Sequence, residues 1–266
     1  MKALTLSYDD GVEQDIRLLD IMNRHGLKGT FNLNAGLYAP EGTVWPAGQI
    51  HRRLTRRAAR DLYAASGQEI ALHAFWHGDL PALPPAHAIW QVMRDKEALE
   101  EDFGRIVRGM AYPYGTVSGE LAATLKGCGV SYSRTVHSTH QFELPGDWLM
   151  WPATCHHDDP RLMELAERFV AGKPYRAQLF YLWGHSYEFE ANDNWQVIEA
   201  FAAYMGGREE IWYATNQEIC DYVQAWRGMH ASANGRLLHN PSAVTLFLSC
   251  DGKDCVLAPG EMLVLP

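Results

Sequence analysis

The sequence predicts an α/β protein built from parallel βαβ units. Three observations carry that expectation. Short β-prone runs alternate with amphipathic stretches from residue 3 to about residue 226. Eight such strands fit that span, which suits a barrel of TIM size, with a doubly wound sheet as the other solution. Asp9, His73, Tyr114 and His185 each fall just after a predicted strand, at the edge where both architectures place their chemistry.

The first strand is Ala3 to Ser7, ending in Asp9-Asp10-Gly11. Glu13 to Arg24 carries Ile16, Leu18, Leu19, Ile21 and Met22 at helical spacing, with Gly26 as its stop. Gly29 to Asn34 is the second strand, and residues 35–50 read as a loop. A helix over about 54–65 leads to the third strand, Glu69 to Leu72, which runs into His73. Ala88 to Arg105 is a long helix, Arg108 to Tyr112 the fourth strand, and Ser118 to Lys126 a helix. Val130 to Ser133 and Trp148 to Trp151 are shorter strands. Arg161 to Val170 is a helix, Gln178 to Trp183 a buried strand, Trp195 to Met205 a helix, and Ile211 to Tyr213 the eighth strand. Thr215 and Glu218 have capping-box spacing, so a helix to Trp226 begins there. From about Gly228 the pattern changes to a small β unit. It comprises Ala243 to Leu248, a hairpin signal at Asp251-Gly252, and Gly260 to Leu265. The predicted division is residues 1–227 and 228–266.

Composition narrows the function. The 266 residues can bury a sizeable core, and 47% hydrophobic with 21% charged residues is an ordinary globular mix. The net charge of -9, with one short basic cluster (Arg52, Arg53, Arg56, Arg57, Arg60), argues against nucleic acid. That cluster reads as the solvated face of a helix. No apolar run reaches the length of a membrane span, and Met1 to Leu4 runs straight into the first strand without a signal-peptide pattern. The five cysteines are odd in number and lack CxxC spacing. The expectation is a cytoplasmic protein without a disulfide framework.

Asp9 and Asp10 are like charges at short range, a repulsion that a cation relieves, although Asp-Asp-Gly is also good turn chemistry. His73 and His77 would lie roughly 13 Å apart on an extended strand. Sharing metal bonds of about 2.0–2.1 Å therefore requires a helical or curved turn between them. With Asp10 they would form an Asp-His-His set with an open position, suited to Zn²⁺, Co²⁺ or Ni²⁺. The run Trp151 to Asp159 contains His156, His157, Asp158 and Asp159 and looks like a metal cluster, but it has no companion ligand at a recognisable spacing, so a substrate-side or structural loop is preferred to a second metal. Trp76, Trp183 and Trp195 suit either a sugar subsite or core packing.

Taken together these stretches resemble the polysaccharide deacetylases of carbohydrate esterase family 4, the NodB homology fold. The TFDDG motif corresponds to Leu6-Ser7-Tyr8-Asp9-Asp10-Gly11, and the H-x-x-x-H motif to Gly67 through His77. The P-Y-G motif corresponds to Pro113-Tyr114-Gly115, and a strand ending in L-x-x-H to Leu182 through His185. The resemblance covers about residues 1–225. It implies a distorted (β/α)7–8 barrel, with the β extension outside it. It also implies Asp9 as general base, and Asp10, His73 and His77 as metal ligands. The Tyr114 N–H would stabilise an oxyanion and His185 act as general acid, with Pro113, Leu182 and Trp183 on the substrate side. Two positions depart from the family. Ala111 stands where an arginine usually pairs with the catalytic aspartate, and Arg108 would point to the opposite face. Asp9 is therefore expected to keep a higher pKa unless another cation fills the gap. The fourth motif is represented only by Asp147-Trp148, whose acid is expected to orient His185.

The function expected from the sequence is metal-dependent removal of an acetyl group, N-acetyl in preference to O-acetyl, from a sugar or oligosaccharide. The alternatives are hydrolysis of a small amide or cyclic imide at the same metal site, and catalytically weak carbohydrate binding.

Overall fold

A computed structural model of the chain describes residues 1–173, 175–250 and 252–265. Its central strand is β1 (Lys2–Asp9), buried along its whole length. A strand covered on both faces divides its alternating side chains between two environments. Leu4, Leu6 and Tyr8 join the main hydrophobic cluster with Leu18, Met22 and Phe31. Thr5, Ser7 and Asp9 make polar contacts on the other face. Thr5 donates to Asn216 Oδ1 at 2.8 Å, and Asn32 donates to Ser7 and to Asp9, both at 2.8 Å.

The elements follow in βα order: α1 (Asp15–Arg24), β2 (Gly29–Leu33), α2 (Arg56–Ala64), β3 (Glu69–Leu72), α3 (Pro85–Phe103), β4 (Gly109–Ala111), α4 (Gly119–Gly127), β5 (Tyr132–Ser138), β6 (Trp151–Ala153), β7 (Cys155–His156), α5 (Leu162–Ala171), β8 (Gln178–Gly184), α6 (Ser186–Ala191), α7 (Gln196–Met205), β9 (Ile211–Tyr213) and α8 (Asn216–Arg227). The strands pair in the order β6-β5-β4-β3-β2-β1-β8-β7, all parallel, with β9 on β1 as well.

The two ends of this order are one stretch of chain. Trp151 and Ala153 pair with β5, whereas Cys155 and His156 pair with β8. Between them Thr154 donates its N–H to Tyr181 O at 2.8 Å. The sheet thereby comes round on itself as a nearly closed, distorted (β/α) barrel, and the open doubly wound alternative is excluded. Inside, Trp151 packs edge-on against Tyr132 (5.3 Å) and Tyr181 (4.9 Å). Asn216 donates to the Tyr181 hydroxyl at 2.7 Å.

Several elements differ from the sequence expectation. Residues 148–150 form a 3-10 turn, and only Trp151 onward is strand. β5 continues past Ser133 to Ser138, taking in Arg134. α6 was not expected, because six residues are too few to show a helical period. The long helix starts at Pro85, where a first-turn proline loses no hydrogen bond.

The chain divides into two compact units, residues 1–216 and 217–266. The second contains an antiparallel sheet of β10 (His230–Ala231), β11 (Leu237–His239) and β14 (Met262–Val264), and the hairpin of β12 (Leu246–Cys250) with β13 (Lys253–Leu257). Leu238, Leu246 and Leu257 form its small core. Of the expected Asp251-Gly252 turn, Asp251 lies outside the described residues, and Gly252 has φ 76°. Cys128, Cys155 and Cys255 are free. Among the described residues, no helix is long and apolar enough to cross a membrane.

Gly29 is paired to Leu6, and a Cβ there would meet the Leu6 carbonyl oxygen at 2.6 Å. Gly29→Ala is expected to lose about 1–3 kcal/mol of stability. Gly127→Ala, with nothing within 4 Å of its Cβ at the end of α4, should leave stability unchanged or raise it by up to about 1 kcal/mol. Urea unfolding midpoints compare the two, and equal destabilisation would contradict this account of strand spacing.

Candidate active site

The carboxyl ends of β1, β3, β4, β5 and β8 bring the ionisable groups together. After β3 the chain turns sharply. Ala74 and His77 have φ of 60° and 53°, in the left-handed region that non-glycine residues seldom occupy. Asn34 secures this turn by donating to the carbonyls of His73 and of Ala74, the latter at 2.6 Å. The curvature required for His73 and His77 to share a ligand is therefore present, and their rings lie 4.7 Å apart, edge to face. Asp10, itself at φ 86°, completes the group. One ligand atom from each of Asp10, His73 and His77 lies within 4.8 Å of the others.

The protonation pattern of His73 fits a metal ligand. Its Nδ1 lies 2.8 Å from the Ala111 carbonyl, which only accepts, so Nδ1 carries the proton and Nε2 keeps its lone pair. That Nε2 is buried with no hydrogen-bond partner among the described residues, and lies 3.8 Å from Asp9 Oδ2. Burial, ahead of every other influence, depresses the pKa of His73, and it brings His77 down to about 4. Both rings are thus neutral donors, the form that binds a cation. His77 Nε2 is 3.9 Å from Asp10 Oδ1.

Asp10 has further partners that the sequence reading assigned elsewhere. Arg53 donates to Asp10 Oδ1 at 2.9 Å and also to the Asp10 carbonyl, while His51 Nε2 is 3.1 Å from Oδ2. Arg52 bridges Glu13 and Glu190 (2.7 Å each). These two arginines precede α2, so the basic cluster is only in part a helix face. Burial pushes the Asp10 pKa upward, but His51 and Arg53 more than offset it and hold the carboxyl well below its ordinary range.

Asp9 is buried and does not lack a cationic partner. Arg134, reaching across from β5, donates to Asp9 Oδ2, and Asn32 donates to Oδ1. Burial raises the Asp9 pKa, yet Arg134 foremost, then His73 and His185, outweigh it, and the net shift is downward. Arg134 is thus the other cation that fills the gap at Ala111, the condition under which a raised Asp9 pKa is not expected. Position 111 contributes its carbonyl to His73, and its side chain is buried. The Arg134 guanidinium lies 4.2 Å over the Trp183 ring.

His185 follows β8 and presents Nε2 at 3.8 Å from Asp9 Oδ2. Its Nδ1 is 3.1 Å from Glu188 Oε1. Burial lowers its pKa, but the Glu188 hydrogen bond and the charge of Asp9 prevail, so His185 stays protonated to higher pH than an ordinary histidine. Glu188 takes the place expected of Asp147, whose carboxylate instead accepts from Leu149 N–H at 2.9 Å to cap the turn before β6. The signal for Glu188 is its capping-box spacing from His185.

Tyr114 sits in the Pro113–Gly115 turn with φ 58°, exposed, its ring 4.6 Å from His77. Pro113 is buried. Leu182 pairs with Leu6 and lies with it in the main hydrophobic cluster, fully buried. Strand alternation gives the opposite face, toward Arg134, to Trp183. Trp195 is core, whereas Trp76 is 54% exposed and packs on Trp90 at 4.9 Å.

A parallel barrel that carries a candidate Asp-His-His cation site beside a buried, arginine-paired aspartate defines one kind of α/β framework. The chain belongs to the polysaccharide deacetylase family, whose sequence profile matches residues 1–133. Over 146 residues it is 28% identical to a chitin deacetylase from Pestalotiopsis sp, a match covering 54% of this chain and 45% of that enzyme. The chain thus spans about half the length of the curated relative. Among solved structures, a Mycobacterium smegmatis protein assigned as a polysaccharide deacetylase superposes with TM-score 0.60 at 19% identity, over 85% of this chain and 91% of the other. The peptidoglycan deacetylase PdaC from Bacillus subtilis gives 0.52 at 16% identity, over 85% and 93%. At such identities these likenesses speak to the fold alone.

Arg134 and Asp9 are 1% and 3% exposed, so removing one leaves the other charged and buried. Arg134→Leu is expected to lose about 3–5 kcal/mol of stability, part of it regained by adding Asp9→Asn. Urea unfolding of the two single variants and the double variant measures this. Additive losses would show that the pair is not coupled.

Proposed function

We propose that this chain is a metal-dependent deacetylase that hydrolyses an acetyl group, N-acetyl in preference to O-acetyl, from a soluble sugar, oligosaccharide or glycoconjugate. The observation that carries this reading is the unpartnered Nε2 of His73, with its lone pair directed among Asp10, His77 and Asp9. Asp10, His73 and His77 would hold a divalent cation, Zn²⁺ or alternatively Co²⁺ or Ni²⁺. Such a cation supplies Lewis-acid polarisation of the acetyl carbonyl and acidifies a water.

The chain's own groups account for the proton transfers. Asp9, held ionised by Arg134, takes the proton from the attacking water. His185, held protonated by Glu188, delivers a proton to the leaving nitrogen or oxygen, so acetate departs and the sugar amine or hydroxyl is released. The Tyr114 N–H is assigned to the developing oxyanion. Pro113 and Trp183 are assigned to the substrate side, whereas Leu182, expected there too, lies on the core face of β8. Residues 1–227 carry this chemistry, and 228–266 form a structural extension. The odd cysteine count without CxxC spacing supports the cytoplasmic setting in this reading.

Acetate release from a panel of N-acetylglucosamine oligomers, by the metal-loaded protein, tests the proposal. Turnover of cyclic imides alone, or saturable sugar binding without acetate release, would replace it.

The two adjacent acids are expected to behave differently. Asp9→Asn should keep its metal and lose roughly 10²–10⁴-fold in turnover, the contribution of a positioned base. Asp10→Asn should bind metal more weakly and be partly rescued by excess metal, which Asp9→Asn should not be. Elemental analysis alongside rates at several metal concentrations decides, and equal metal loss in both would refute the division. Glu188→Gln preserves shape but removes the charge that holds His185. Its kcat should fall by roughly 10²-fold or more with little change in KM, and an unchanged kcat would remove Glu188 from the mechanism.

A further inference from the structure

α6 carries a tyrosine that neither the proton transfers nor the cation site uses. Ser186 and Phe189 fasten this short helix to the barrel. Ser186 Oγ donates to Asp15 Oδ1 at 2.6 Å, and Phe189 is fully buried, stacked on His157 at 4.1 Å. Tyr187, between them in sequence, is only half-buried. Its ring stands edge-on to His51 at 4.8 Å and tilted on His185 at 5.3 Å. His51 is the ring whose Nε2 lies 3.1 Å from Asp10 Oδ2, and His185 is the proton donor of the proposed reaction. Tyr187 therefore runs along the site from the neighbour of one candidate ligand to the general acid.

The Tyr187 hydroxyl makes no hydrogen bond among the described residues. Burial, then the charges of Asp10, Glu188 and Asp9, push its pKa up to about 12. The hydroxyl thus keeps its proton and can both donate and accept. A tyrosine that only filled space would gain nothing from it, since the contacts with His51 and His185 need the ring alone.

The chemistry fixes which part of a substrate lies beside this hydroxyl. A general acid protonates the leaving atom, so His185 marks the sugar side of the scissile bond. The oxyanion belongs with Tyr114, whose ring packs on His77 at 4.6 Å. We propose that Tyr187 is a specificity-determining residue whose hydroxyl hydrogen-bonds the leaving-group sugar, at the ring hydroxyl on the carbon next to the one that bears the acetylated nitrogen. The position of the sugar in this inference rests on the deacetylase reading. An acetylated amine without a neighbouring hydroxyl leaves the Tyr187 hydroxyl unpaired and is the poorer substrate.

Tyr187→Phe keeps the ring and removes only the hydroxyl. On the N-acetylglucosamine trimer the metal-loaded variant should lose roughly 2–10-fold in kcat/KM, the worth of one uncharged hydrogen bond. On the same trimer with the neighbouring hydroxyl removed from every unit, wild type and variant should be equal. Replacing N-acetyl by N-propionyl should change both proteins by the same factor, because the acyl group lies away from Tyr187. Calorimetric binding of the deacetylated trimer gives a readout without turnover. Its Kd should rise by roughly 2–10-fold in Tyr187→Phe, and the Kd of the trimer lacking the hydroxyl should not. Equal values for wild type and variant on the complete trimers overturn the proposal, as does an equal loss with and without the sugar hydroxyl. A propionyl factor altered by Tyr187→Phe also overturns it, by assigning the tyrosine to the acyl side. A wild type that binds the deacetylated trimer but releases no acetate removes the deacetylase reading, and the Kd comparison still decides for or against Tyr187. A folded, metal-loaded wild type that binds no trimer overturns the contact outright.

Discussion

The buried ion pair between Asp9 and Arg134 is the constraint on which the rest of the barrel depends. A carboxylate taken out of water beside a second carboxylate is strongly disfavoured unless a cation comes with it. β5, which carries Arg134, is the fourth strand along from β1 in the sheet. The pair therefore spans the barrel interior, and the sheet has to curl for it to form. Trp183, from β8 on the other side of β1, lies under the guanidinium and completes the enclosure. Fold and site are in this sense one problem: the curvature that closes the sheet through Thr154 also places the counter-charge.

Much of this was legible in the sequence because it is local. The Asp-Asp-Gly end of β1, the histidines after β3, the Pro-Tyr-Gly turn and the histidine after β8 each sit within a few residues of a strand that hydrophobic patterning identifies. What was not legible is non-local. Arg134 is one charged residue in a short β-prone run, and nothing near it shows that its partner lies 125 positions away. Arg53 was grouped with its neighbours in a basic cluster, although it precedes the helix and turns back onto Asp10. Glu188 had a local signal, a capping-box spacing with histidine in the capping position, but its helix is too short to be seen by periodicity. Ala111 showed a gap locally, but the cation that fills it, Arg134, comes from another strand.

The histidine cluster around Glu188 shows how one carboxylate can be drawn in two directions. Its Oε1 faces His185 and its Oε2 faces His156 and His157. Gly184 belongs to this arrangement, because a Cβ there would meet His157 Nδ1 at 2.0 Å. The strand ends without a side chain so that the neighbouring ring can lie flat against it.

Among the described residues, six that are not glycine have positive φ, and four of them are Asp10, Ala74, His77 and Tyr114. Each such conformation costs of order 1–3 kcal/mol and persists only because its surroundings impose it. Selection for thermal stability alone would find these positions attractive, since glycine would relax the backbone at each. The relaxed loops would no longer hold His73 against His77, or Tyr114 against His77, in one arrangement. Stability and geometry thus pull against each other in the same few residues, and a variant of this chain improved by heating would be the first place to look for a barrel that has kept its fold and lost its ligand set.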